Sequence, residues 1–393
     1  MRIVLLIVVV MVVGAGSSHG DLIRRLKRMH PAISTGFRLL SFERLTGSAA
    51  DGAGLTIGPP GSFDSAWIGA PDVHFDGSIY RMWYGGAAVL PYYTGQPTAI
   101  GLATSRDGLH WQRANNGEPV FKPGPPGAFD ECEIMGPCVL YDGGIWRMWY
   151  GGLQRPGTQP RAENWEGVIP QGWECRIRIG LATSHDGIHW TRENGGKPVL
   201  DLGPIGSTGD LQIMHPTVLK EEDGYRMWYA SNSISIPHTI SMATSPDGIH
   251  WQKYRDGAPV LGLGWYVTGP AVYRQGDEYL MIYSREDLQQ NVWIISAAVS
   301  RDGFHWRVLN EGKSVADPGP HPPVSGPRPA EEGSVHHPSG MIREGNCLRF
   351  WYTENPAQGA YRIGAGKLTF DWPAPTSPSA GKRIDSDWFS LPE

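Results

Sequence analysis

Carboxylates gather just ahead of prolines along this chain: Asp64 before Pro71, then Asp130, Glu131 and Glu133 before Pro137, Asp210 before Pro216, and Glu331 and Glu332 before Pro338. Asp64 and Asp130 close the same Gly-Pro-Pro-Gly-x-Phe-Asp stretch, at 58–64 and 124–130, which favours loop capping for both. Glu133 lies closer to its proline and has no carboxylate counterpart in the other copies of the motif. Beside Ile134 and Met135 its acidity can be lowered into the range that a general acid needs. Asp210, near His215, is the next candidate for proton transfer, and Asp72, directly after Pro71, is the third.

Histidines approach the same prolines at His215, His336 and His337, where converging imidazoles could bind substrate hydroxyls or a central ion. The long loop 153–176 carries Trp165 and Trp173, available to stack on a ligand ring or to hold the loop itself. Arg285, followed by Glu286 and Asp287, could grip a carboxylate or a hydroxyl pair, or simply make surface ion pairs.

What must position these residues is a fivefold repeat. Its signature is Tyr80-Arg81-Met82-Trp83-Tyr84, Trp146-Arg147-Met148-Trp149-Tyr150, Tyr225-Arg226-Met227-Trp228-Tyr229, Tyr279-Leu280-Met281-Ile282-Tyr283 and Leu348-Arg349-Phe350-Trp351-Tyr352. Such short runs predict central strands covered on both faces. A proline-initiated strand precedes each, across turns such as Asp76-Gly77 and Asp223-Gly224. Four copies continue into Ser-x-Asp-Gly-x-His-Trp, with Asp107, Asp186, Asp247 and Asp302 as turn residues. The unit is therefore four antiparallel strands.

The last copy lacks that hairpin, whereas residues 37–45 form a strand with no hairpin of their own. The simplest closure lets the N-terminal strand complete the last sheet. The predicted fold is all-β: a five-bladed β-propeller over residues 37–370 with four-stranded antiparallel blades. All Asp-Gly turns then fall on one face, and the proline-flanking candidates on the other, where binding chemistry belongs. A chain of 393 residues with 52 Gly, 33 Pro and 16 Trp suits many short strands and tight turns. The tryptophans of the repeat read as packing between sheets.

Net charge of -5 leaves no electrostatic footprint for nucleic acid. Residues 1–20, with an apolar run from Ile3 to Val13 followed by small residues, read as a signal peptide, and hence as a secreted chain with no membrane span after its removal. The basic cluster Arg24-Arg25-Leu26-Lys27-Arg28 keeps N-terminal anchoring as the alternative. Residues 371–393 read as a Pro/Ser-rich surface strap. Four cysteines, Cys132, Cys138, Cys175 and Cys347, lack metal-ligand spacing. Cys132 and Cys175 are expected to tie the long loop to its blade by a disulfide.

Residues 37–370 resemble the five-bladed propellers of the arabinanase, levansucrase and invertase superfamily, and the repeat is similar to that of glycosyl hydrolase family 32 or 43-like proteins. The Ser-x-Asp-Gly-x-x-Trp hairpin also resembles the Asp-box of the six-bladed sialidases. The superfamily resemblance implies a carbohydrate-active enzyme that cleaves a glycosidic bond with two carboxyl groups across a central funnel. The implied partner is a carbohydrate or other small ligand, met by a monomer without a cofactor, although some members hold calcium in the channel near a histidine. The superfamily's essential aspartate stands immediately before the first blade's proline, where this chain has Ala70. That difference keeps a non-hydrolytic glycan-binding propeller, or one recruited to non-sugar chemistry, as the alternative.

Overall fold

The computed structural model describes residues 38–49, 52–89, 97–154, 176–204, 206–233, 238–262, 266–287, 292–316, 334–356 and 360–371. The expected signal peptide, Trp165, Trp173, Cys175, Glu331, Glu332 and the strap beyond Asp371 lie outside the described residues. Two leading strands, β1 (Arg38–Leu45) and β2 (Leu55–Thr56), come first. Unit one is β3 (Trp67–Phe75), β4 (Tyr80–Ala87), β5 (Thr98–Ser105) and β6 (Gln112–Arg113). Unit two is β7 (Glu133–Asp142), β8 (Ile145–Leu153), β9 (Ile177–Ser184) and β10 (Thr191–Arg192). Unit three is β11 (Gln212–Glu221), β12 (Gly224–Asn232), β13 (Thr239–Ser245) and β14 (Gln252–Lys253). Unit four is β15 (Val267–Gln275), β16 (Glu278–Asp287), β17 (Val292–Ser300) and β18 (Arg307–Val308). Unit five holds β19 (Ser334–Glu344), β20 (Cys347–Asn355) and β21 (Arg362–Asp371).

The molecule is all-β, and its antiparallel sheets resemble propeller blades. As expected, β1 supplies the outer strand of unit five, pairing with β21 from Arg38↔Asp371 to Leu45↔Ala365. Units two and three merge into one hydrogen-bonded sheet through a single parallel pair, Gln212↔Ile177. First strands touch in sequence, β3 to β7, β11, β15 and β19, and β19 in turn touches β3. Between neighbouring units, apolar side chains fill the core. One such cluster joins Trp83, Ile100 and Leu102 of unit one to Ile134, Met148 and Tyr150 of unit two.

Each Asp-Gly turn organises two units at once. The Gly108 carbonyl accepts the indole N–H of Trp111 at 3.1 Å and that of Trp351 at 2.8 Å. Gly187 likewise serves Trp190 and Trp83, Gly248 serves Trp251 and Trp149, and Gly303 serves Trp306 and Trp228. The glycines are required twice over, by φ of +73° to +81° and by a neighbouring indole carbon about 3 Å from where a Cβ would lie. Unit four has Ile282 in place of the tryptophan, next to the one unit without this turn.

A second set of links joins the residues just after the prolines. Asp72 accepts the Val139 N–H at 2.6 Å, and Cys138 Sγ accepts the Val218 N–H at 3.2 Å. Thr217 donates to the Pro270 carbonyl at 2.7 Å, and Ser339 donates to the Pro71 carbonyl. Ala271, without a polar side chain, is the gap.

Trp351→Phe removes the N–H that links unit five to unit one and leaves the Gly108 carbonyl with one donor. It should lower unfolding free energy by about 1 kcal/mol. Urea titration checks this, with the midpoint falling and the m-value unchanged.

Candidate functional site

Every first strand breaks register at its X-Pro pair, for example between Gly69 and Asp72 and between Met214 and Thr217. The residue before each proline has positive φ: Ala70 +45°, Gly136 +56°, His215 +49°, Gly269 +54° and His337 +49°. A residue preceding proline normally stays extended, and for non-glycine the left-handed conformation costs about 1–2 kcal/mol. Hydroxyls from the preceding unit hold two of these turns. The Ala70 N–H donates to Thr353 Oγ1 and the His337 N–H donates to Ser284 Oγ, both at 2.8 Å.

The five turns enclose a cavity of ≈ 20 Å³, lined by Ala70, Asp72, His215, Thr217, His337 and Ser339 together with the prolines and glycines. That is room for about one water. The His215 and His337 rings stack at 4.0 Å with 24° between their planes, and His336 tilts against His337 at 4.5 Å. The glycines make space for them: a Cβ on Gly136 would lie 2.5 Å from His215 Nδ1, and one on Gly269 would lie 2.9 Å from His337 Cδ2. Burial, reinforced by His336 and His238, holds His215 down to about 3. His337 is driven well below the ordinary range by burial and by His215 and His336, and burial lowers His238 to about 4. These imidazoles are neutral at neutral pH.

The three candidate carboxylates occupy different settings. Glu133 opens β7 opposite Leu153, is fully buried, and stands three residues before Gly136, against which His215 lies. Asp72 faces the axial cavity beyond the ring of turns, and burial pushes it up to about 7 despite bonds from Val139, Val73 and Gly340. Asp72 keeps partial exposure and lines that cavity. Asp210 caps a loop: its Oδ2 accepts the Gly206 N–H at 2.7 Å, as Glu131 accepts the Gly127 N–H at 2.7 Å. Asp64 and Asp130 each accept a tyrosine hydroxyl at 2.9 Å, from Tyr84 and Tyr150, and an arginine Nε at 2.8 Å, from Arg113 and Arg192.

The structure therefore brings Asp72, His215 and His337 to one cavity, with Glu133 on the strand beside His215 and Asp210 in a separate loop. Arg285, opposite Val267 near the end of β16, lies on the same mouth face. His238, Tyr266 and Tyr361 border the mouth and escaped the sequence reading. Tyr266 was detectable in principle, since it precedes its proline by four residues, as Glu133 does. Among the described residues no group of three or more His, Cys, Asp or Glu side chains could hold a metal ion. Among the residues lining the axial cavity, Asp72, Thr217 and Ser339 carry side-chain oxygens and His215 and His337 carry imidazoles.

No family model matches the chain. Over 207 residues, 50% of this chain and 62% of the relative, it is 28% identical to the uncharacterized protein Rv1502 of Mycobacterium tuberculosis (strain ATCC 25618 / H37Rv). Over 201 residues, 48% of this chain, it is 25% identical to the A type blood N-acetyl-alpha-D-galactosamine deacetylase of Flavonifractor plautii, of which 23% is matched. The matched stretches thus span less than two thirds of either relative. Among solved structures, one from the GH130 family of mannoside phosphorylases and glycoside hydrolases aligns with TM-score 0.60 at 15% identity, over 85% of this chain and 96% of that one. The Bombyx mori GH32 beta-fructofuranosidase BmSUC1 aligns with TM-score 0.55 at 13% identity, over 89% of this chain and 66% of that one. The fold is that of the propeller-type glycoside hydrolases.

His215 has a folded pKa below its unfolded value of 6.5, so the unfolded chain binds more protons between about 3 and 6.5 and stability falls as pH drops through that window. Asp72, raised from 3.8 to about 7, works in the opposite sense, costing stability as pH rises through its own window. His215→Asn tolerates the left-handed turn and removes the histidine contribution. Its stability should fall less steeply from pH 6 to pH 4, by about 1.4 kcal/mol per pH unit. Urea unfolding of both proteins across that range measures the difference.

Proposed function

We propose that this chain is a carbohydrate-active hydrolase, a closed five-bladed propeller over residues 37–370 that takes a glycan at the proline-turn mouth. The observation that carries the reading is Glu133, a fully buried carboxyl side chain at the mouth end of β7, on the strand whose Gly136 receives neutral His215. A hydrolase needs a proton donor for the leaving oxygen and an acceptor for the proton of water. Glu133 fits the donor. Ala70 occupies the superfamily's aspartate position, Asp72 is engaged by the Val139 N–H and Asp210 by the Gly206 N–H. We assign the acceptor role to the unprotonated His215 imidazole, which packs against Gly136 on the strand of Glu133. Water attacks the anomeric carbon as His215 takes its proton, the glycosidic bond breaks, and the Glu133 proton passes to the departing oxygen. In this reading the protein loses residues 1–20 and acts outside the cytoplasm as a monomer.

A second reading, removal of an acyl group from an amino sugar, is favoured by the similarity of half the chain to part of a deacetylase. The same pair would serve, with His215 activating water at the acyl carbon and Glu133 protonating the leaving amine. Oligosaccharides of fructose, mannose and N-acetylgalactosamine, assayed for both new reducing ends and released acetate, separate the two. Tight glycan binding with neither product would remove the enzymatic reading.

Glu133→Gln should lower turnover by roughly a hundredfold or more while leaving folding intact. Asp210→Asn should stay within about twofold of wild type, because a loop cap moves stability more than chemistry. Unchanged turnover in Glu133→Gln would sink the assignment of the acid.

A further inference from the structure

Two runs of ring contacts line up across the mouth. Tyr266 meets His238 at 6.0 Å, and His238 lies close enough to His215 to affect its protonation. His215 stacks on His337 at 4.0 Å, and His337 meets His336 at 4.5 Å. His336 meets Tyr361 edge-on at 6.4 Å, and Tyr361 meets Trp67 at 6.3 Å. The line runs from units three and four to units five and one. Tyr266, His238, His337 and Tyr361 keep accessible surface, whereas His215, His336 and Trp67 are buried and support them.

Tyr266 is the informative member. Four residues before the prolines, the other units place Trp67, Glu133, Gln212 and Ser334, all at 7% exposure or less, whereas Tyr266 is 38% exposed. Its backbone is held on both sides: the Glu286 N–H donates to the Tyr266 carbonyl at 3.0 Å, and the next amide, Val267, donates to the His238 carbonyl at 3.1 Å. A tyrosine anchored this way presents its ring at little further entropic cost. Half-buried Arg285, Glu286 and Asp287 adjoin it on β16 and supply polar groups beside an apolar face.

We propose that this line of rings is the floor of an extended glycan site. Tyr266 and Tyr361 are the outer stacking subsites, and the axial histidines lie between them. The inference rests on the carbohydrate reading above and adds to it that the preferred ligand is a chain of at least two sugar residues rather than a monosaccharide. Sugar C–H faces lie on the tyrosine rings, while hydroxyls meet the imidazoles and the β16 side chains.

Calorimetric titration of an oligosaccharide series and the matching monosaccharides, drawn from fructose, mannose and N-acetylgalactosamine, tests it. The proteins are wild type, Tyr266→Ala, Tyr266→Phe and Tyr361→Ala, each first checked for an unchanged melting temperature. Wild type should bind the oligosaccharide more tightly than its monosaccharide. Each alanine variant should lose about tenfold in oligosaccharide affinity, and Tyr266→Phe should keep wild-type affinity. Oligosaccharide binding by wild type with both alanine variants unaffected would overturn the floor and leave the carbohydrate reading standing. A wild type that binds no sugar of the series would overturn both.

Discussion

One carbonyl shared by two indoles is the interaction on which this architecture depends. A buried indole N–H without an acceptor costs about 1–3 kcal/mol, so each tryptophan needs its glycine. Because the carbonyl of Gly187 serves both Trp190 of its own unit and Trp83 of the unit before, the hairpin cannot form correctly without also fixing where its neighbour stands. The same arrangement at Gly108 joins the last unit to the first through Trp351. Where no acceptor exists the donor is absent too, for Ile282 stands where unit four faces a neighbour without the turn. The repeat is thus a device for setting spacing between sheets as much as for building each sheet.

That spacing is what allows the inner strands to hold an unfavourable backbone. Five pre-proline residues with positive φ are tolerated because the strands around them are fixed from outside, and backbone strain of this kind persists only where its surroundings over-determine it. The bulge at each turn re-aims the side chains there. It brings His215 into the space left by Gly136 and His337 into that left by Gly269. Asp72, Cys138, Thr217 and Ser339 then bind strand to strand just beyond the turns, so that Asp72 belongs to the frame of the site even while it faces the cavity.

Much of the frame was legible in the sequence because repetition exposes it. The Asp-Gly hairpins, the proline-started strands and the pairing of the N-terminal strand with β21 all follow from comparing five copies of one pattern. The loop-capping setting of Asp64 and Asp130 followed from their duplicated context, and the bonds to Tyr84 and Tyr150 supply its chemistry. The site was less legible. Whether Asp72 meets substrate or a neighbouring amide depends on a register shift that alternation alone cannot reveal. Asp210 looked like a partner for His215 by proximity in sequence, yet its bond to the Gly206 amide places it with Glu131. Tyr361 and His238 sit at strand ends outside any motif, and only the assembled ring of units makes them neighbours of the axial histidines.

The electrostatics of the mouth limit the chemistry it can perform. The His215 and His337 ring centroids lie 4.0 Å apart, so protonation of one imidazole disfavours protonation of the other. Glu133, one fully buried carboxyl on the strand whose Gly136 packs against His215, has no carboxylate counterpart in the other units. Under the proposed hydrolase reading, a single displacement by water needs one proton donor and one acceptor, whereas a double displacement needs a second carboxyl group at the reacting carbon. Lining the same cavity as Ala70 are imidazoles from two other units, kept uncharged by burial.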